Sequence, residues 1–282
     1  MRAVLVFCEG QHDVVFTSRS LIRRGGVREV RPIGQLPSPF GPKLGAYGTP
    51  EKPAVTSVIS DRYSNRALHS LQMRHAAHSA PPTFEGAVTM TSDDTYYVLI
   101  RCHGDSAANE SQKLASDVRD KITFGADISA IGLAFLFDAD SQGTAVRTAH
   151  FGKSHACCLP AGQVPDHATW KQGPFGPVGL FIFHDPATLR GTLEDTLAGL
   201  ASAEWPAKWA DAESYLSKHA VPTDPVSKKP AERHKARISI SGQFLCPGDP
   251  MTEVIGWKSL PDKHFDGPMS KSLVDFLTSP TW

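Results

Sequence analysis

Four apolar runs of strand length punctuate an otherwise mixed chain: AVLVFC at residues 3–8, YYVLIRC at 96–102, IGLAFLF at 131–137 and VGLFIF at 178–183. They are nearly continuous rather than alternating, which is the pattern of strands covered on both faces. Helical periodicity appears between them. Val14, Leu21 and Ile22 predict a helix over about residues 12–24; Arg23 and Arg24 suit its C-terminal dipole and Gly25-Gly26 ends it. Asp105 or Ser106 can cap a helix to about Ile122, with Leu114, Val118 and Ile122 as its buried stripe. After the fourth run, Gly191-Thr192 opens a helix through Leu193, Leu197 and Leu200, and a further helix is expected over 207–218. Strands separated by helical segments predict an α/β fold, a largely parallel sheet flanked by helices.

Two stretches break this rhythm. Residues 27–94 carry PIGQLPSPFGPK, EKP and APPTFEG, and read as a long insertion with little regular structure after the first helix. A short helix around 65–78 is the exception, with His69, His75 and His78 facing solvent. The expected division is a core of 1–26 and 95–205, an insertion of 27–94, and a C-terminal extension of 206–282 packing on the core. Within that extension, VSKKPAERHK reads as a polar link, ARISIS as a short strand and SLVDFLTS as a final amphipathic turn.

Composition narrows the class. Of 282 residues, 40% are apolar and 21% charged, which suits a globular protein, and Lys plus Arg equal Asp plus Glu at 29 each. A zero formal charge advertises no polyanion, so nucleic acid would have to be met by local patches and metal ions. Five cysteines without a CxxC pair fit a reducing cytosol and a cytoplasmic protein. No stretch approaches the ~20 apolar residues of a membrane span.

The acids fall where this architecture places ligands, beyond the carboxyl ends of the strands. Glu9 follows the first run, with Asp13 four residues on. Asp138 and Asp140 follow the third run, and Asp185 follows the fourth, with Glu194 and Asp195 one helical turn further. Carboxylates grouped at one rim repel one another, and a divalent cation removes that cost. Alternation would put Asp138 and Asp140 on one side if the strand continues through them. Taken singly, each acid has an ordinary explanation as a cap or turn residue.

The residues also resemble a family. FCEGQHDVVF is similar to the first Toprim motif, strand–Glu–Gly, and FLFDADSQG to the second, strand–Asp–x–Asp–x–x–Gly. FIFHDPATLRGTLEDTL, residues 181–197, resembles a later segment of a small Toprim-like family of uncharacterised prokaryotic and phage-associated proteins, with His184 in place of the usual Pro. The resemblance covers 3–24, 96–143 and 178–200, and hardly touches 27–94. It implies a Toprim-like (Rossmann-like) fold and Mg²⁺ or Mn²⁺ bound by Glu9, Asp138 and Asp140. By analogy with the related overcoming-lysogenisation-defect nucleases, Asp13 with Asp185 or Glu194 would complete a second metal position, and Lys235 is the best-placed late catalytic lysine. No Walker A motif, zinc module or assignable nucleophilic tyrosine is visible, so topoisomerase and primase readings lose ground.

Two functions are therefore expected. One is metal-dependent hydrolysis of DNA or RNA phosphodiesters, by family association in phage–host conflict. The other is non-catalytic nucleic-acid binding, as an adaptor. Residues 27–94 could contact a protein partner or select substrate. A flavodoxin-like phosphate-binding domain would need a glycine-rich loop, for which Gly25-Gly26 is too little.

Overall fold

The computed structural model describes residues 1–29, 84–92, 94–102, 128–219, 230–248 and 260–282, with isolated positions 112, 115, 116, 119, 251, 254 and 255. The chain is α/β. Strands β1 (Arg2–Cys8), β2 (Arg28–Glu29), β3 (Phe84–Thr91), β4 (Thr95–Cys102), β5 (Ala130–Asp138), β6 (Thr169–Gly173) and β7 (Gly176–Phe183) form one sheet, in the order β2-β3-β4-β1-β5-β7-β6. The central four, β4-β1-β5-β7, are parallel; β2, β3 and β6 are joined antiparallel at the edges. Among the described residues, the α-helices with described bounds are α1 (Gln11–Gly25), α2 (Thr144–Ser154), α3 (Leu193–Glu204), α4 (Pro206–His219), α5 (Pro230–Gln243) and α6 (Pro268–Thr278).

Each apolar run is continuous because both of its faces are covered. In β1, Val4, Val6 and Cys8 pack with α1, α3, α5 and α6, while Ala3, Leu5 and Phe7 pack on the opposite face with Phe151 of α2. Phe7 stacks on Phe135 with ring centroids 4.9 Å apart. Burial of each such ring contributes about 1.5–3 kcal/mol. The C-terminal segment closes over the first face: Phe265, Leu273, Val274, Phe276 and Leu277 join its core. Arg19 of α1 is pinned there, donating to the carbonyls of Ile255 at 2.8 Å and Leu260 at 2.7 Å and to Asp262 at 2.6 Å, with its guanidinium over Phe265.

Several expectations need correction. The stretch 27–94 contributes β2 and β3 to the sheet, so its last part is not irregular. ARISIS lies inside helix α5, not in a strand. Its isoleucines alternate, but Pro230 and the helix-favouring AERHKA precede them, and burial of Ile238, Ser241 and Gly242 follows helical spacing. Lys235 is thus a helical residue, not part of a link. Helix α2 and strand β6 had no counterpart in the sequence reading; α2 buries only Phe151 and so carries almost no apolar periodicity. The helix expected at 65–78 lies outside the described residues, as do Leu114, Val118 and Ile122. Ala115, in the same stretch, is helical and buried.

Candidate active site

After β1 the chain builds the β2-β3-β4 side of the sheet, and after β5 it builds the β7-β6 side. The carboxyl ends of adjacent β1 and β5 therefore flank the switch point, where open parallel sheets receive ligands. Glu9 follows β1 and Asp138 ends β5. The Glu9 Oε2 atom accepts from the Asp138 backbone N–H at 3.3 Å and from Arg147 Nη2 at 2.6 Å. Arg147 sits in the first turn of α2, its guanidinium 4.8 Å above the Phe137 ring.

Three helices deliver the remaining groups. At the start of α1, Asp13 turns back so that Oδ2 accepts the Gly10 N–H at 2.7 Å, and its side chain is buried. At the start of α3, the Leu193 N–H donates to Asp138 Oδ1 at 2.8 Å, which also aims a helix N-terminus at that carboxylate. Glu194, 4% exposed, places Oε1 3.0 Å from His12 Nδ1 and 3.5 Å from Lys235 Nζ on α5. Its Oε2 is buried and has no hydrogen-bond partner among the described residues.

The electrostatics follow from this crowding. Burial, then the charges of Glu194 and Glu9, push Asp13 well above its ordinary value. Burial, then Asp13 and Glu194, do the same to Asp138. Burial would also raise Glu194, but His12 and Lys235 outweigh it and hold Glu194 at about 2. Burial opposes the charge on Lys235, yet the carboxylates of Glu194, Glu232 and Asp138 raise it.

Hard oxygen donors crowded against one another, one of them an orphaned buried atom, fit a divalent cation in chemistry. As arranged, however, no three His, Cys, Asp or Glu side chains among the described residues form a ligand group. Glu9 is engaged by Arg147, Asp138 by Leu193, and Glu194 by His12. A cation would have to displace some of these partners.

Glu9, Asp13, Asp138, Glu194 and Lys235 thus come together. Asp140 and Asp185 take other positions. Strand β5 ends at Asp138, so alternation does not extend to Asp140, which is exposed at a positive φ of 52°. The Asp185 carboxylate turns into its own loop, accepting from the Ala187 N–H at 2.9 Å and Thr188 Oγ1 at 3.2 Å. Asp185 therefore serves as a turn residue. Three further polar residues meet the acids without having been singled out in the sequence: His12, which is adjacent to Asp13 in the chain, Arg147, which is distant in sequence from Glu9, and His234, whose Nδ1 meets Asp195 Oδ1 at 2.7 Å. Asp195 also caps α3, accepting the Thr192 N–H at 2.7 Å.

No family model matches the chain, and no curated protein sequence does. Among solved structures, the chain is similar to a hypothetical protein from Pyrococcus horikoshii OT3, at 16% identity and a TM-score of 0.49, over 99% of this chain and 95% of that one. Among the described residues no helix is long and apolar enough to cross a membrane. None of the five cysteines, all of them described, is in a disulfide.

Proposed function

We propose that this chain is a Toprim-like, divalent-metal-dependent phosphodiesterase acting on nucleic acid. One observation carries the reading: Glu9, Asp13, Asp138 and Glu194 crowd at the switch point of a parallel sheet with Lys235 and Arg147 beside them. Glu9, Asp13 and Asp138 would hold Mg²⁺ or Mn²⁺, with Glu194 behind them. Such an ion, when bound, supplies Lewis-acid stabilisation of charge on the phosphoryl oxygens. The chain's own groups do the rest. Glu9 accepts a proton from the attacking water, and Lys235 and Arg147 offset the charge that develops on the phosphate and the departing oxygen. The setting of such a reaction is the cytoplasm, with phage–host conflict as one context.

The test is nicking of supercoiled plasmid, and cleavage of labelled RNA, in Mn²⁺ or Mg²⁺ with Asp138→Asn as the control. The reading expects cleavage by the wild type and a loss of at least a hundredfold in the variant. Equal cleavage, or none with either substrate, removes it. One observation favours the alternative of a non-catalytic nucleic-acid-binding adaptor: the acids already have protein partners and form no ligand group of three. That reading expects binding without turnover and affinity indifferent to Asp138→Asn.

A further inference from the structure

The rim beside these acids carries an unusual surface. Among the described residues, Val146 is 48% exposed and Leu189 is 52% exposed. They belong to different elements, the first turn of α2 and the loop between β7 and α3, yet these are bonded together: the Thr144 N–H donates to the Leu189 carbonyl at 3.0 Å. The same loop is tied to the Asp138–Asp140 turn, because the Gly191 N–H donates to the Asp140 carbonyl at 2.8 Å.

Leu189 is held there against its preference. Its φ of 56° lies in the left-handed region, which a leucine rarely adopts. The loop fixes it through bonds centred on Asp185. The Leu189 N–H donates to the Asp185 carbonyl at 2.8 Å, the Asp185 N–H donates to the Arg190 carbonyl at 2.7 Å, and the Asp185 side chain takes Ala187 and Thr188. A rigid loop thus displays an apolar side chain to solvent.

Beyond the exposed Asp140 and Asp185 that bound them, the segments carrying this pair hold basic side chains and no acids. No Asp or Glu occurs between Asp140 and Asp166, nor between Asp185 and Glu194, in a chain where acids and bases are equal in number. Exposed Arg190 and Lys153 have no carboxylate partner among the described residues. The Arg190 side chain lies along Gly143, where an added Cβ would come within 3.6 Å of its Cγ.

We propose that this rim binds single-stranded nucleic acid next to the bond that is cut: Arg190 and Lys153 meet phosphates, and Leu189 with Val146 forms a platform for an unpaired base. The inference rests on the reading of the site as a phosphodiesterase and adds the strandedness of its substrate. Arg190 and Lys153, free of carboxylate partners among the described residues, favour a polyanion. The apolar pair selects among polyanions. The outside of a duplex near its phosphates is polar and offers a leucine nothing to bury, whereas the face of an unpaired base does.

The test uses the full chain in EDTA, so that binding is read without cleavage. Fluorescence anisotropy of fluorescein-labelled oligothymidine and of a matched duplex is measured for wild type, Leu189→Asn, Arg190→Glu and Lys153→Glu. Asn accepts a left-handed φ, so Leu189→Asn should fold with an unchanged or higher melting temperature. Expected are tighter binding of the single strand than of the duplex, a roughly fivefold loss for Leu189→Asn on the single strand only, and a shallower salt dependence for both charge reversals. Unchanged single-strand affinity in Leu189→Asn, an equal loss on the duplex, or an effect of Leu189→Asn on self-association alone would overturn the proposal. Wild type that cleaves, with variants that bind as it does, removes this surface and leaves the phosphodiesterase. Binding through these residues without cleavage removes the phosphodiesterase and keeps the surface.

Discussion

Asp195 Oδ1 lies 2.7 Å from His234 Nδ1, and this contact joins the start of α3 to α5 one residue before Lys235. The preceding acid of α3, Glu194, meets Lys235 itself at 3.5 Å. Two consecutive residues of one helix thus hold two consecutive residues of another. His234→Ala should therefore loosen Lys235 without removing it. Expected is a fall of about tenfold in cleavage rate with an unchanged far-ultraviolet dichroism spectrum. His234→Asn, which keeps a donor, should recover part of it. A merely structural role would instead lower the melting temperature and leave the rate per folded molecule intact.

Gly191 tests the same junction from the backbone. Its φ is 102°, and a Cβ there would stand 2.7 Å from Asp195 Oδ2, the oxygen that caps α3. Gly191→Ala should cost about 1–3 kcal/mol through backbone strain and loss of the cap. Thermal denaturation should show a drop of roughly 2–4 °C per kcal/mol. Gly199→Ala, in the middle of α3 with open space around it, is the control and should be neutral or stabilising.

How much of this was legible in the sequence depended on burial. The four central strands announced themselves because each is covered on both faces, so their apolar runs are continuous. Glu9 and Asp138 followed from strand ends alone. Helix α2 stayed hidden because it buries only Phe151, and α5 was misread because its two isoleucines happen to alternate. The partners of the acids were beyond any local pattern: Arg147 reaches Glu9, and His12 reaches Glu194, across the fold. Asp185 stood at a strand end like the others. Only the geometry of its loop shows that its carboxylate is consumed by the turn.

The crowded carboxylates set the pH dependence of stability. Asp13 and Asp138 bind protons more tightly in the folded chain than in the unfolded one, because burial and neighbouring acids raise them above 3.8. Their contribution to stability is complete below that value and is lost as pH rises through the raised folded-state values. Asp138→Asn removes one of the charges and keeps an acceptor for the Leu193 N–H. In EDTA the variant should melt several degrees above wild type at pH 8 and close to it near pH 4, since each kcal/mol is worth about 2–4 °C. A variant that melts lower at pH 8 would mean that the ionised carboxylate stabilises the site instead.

Cation binding should release protons for the same reason. At a pH below the raised values, Asp13 and Asp138 hold protons that an ion must displace before it can be ligated. Calorimetric titration of Mn²⁺ at pH 6 in two buffers of different ionisation enthalpy measures that release. Wild type should release protons, and fewer of them as the pH is raised, Asp138→Asn should bind at least tenfold more weakly, and Arg147→Gln, which withdraws the guanidinium from Glu9, should bind more tightly than wild type. Heat that is independent of the buffer would show that the acids are already ionised and that their mutual repulsion is relieved by Arg147, His12 and Lys235 alone.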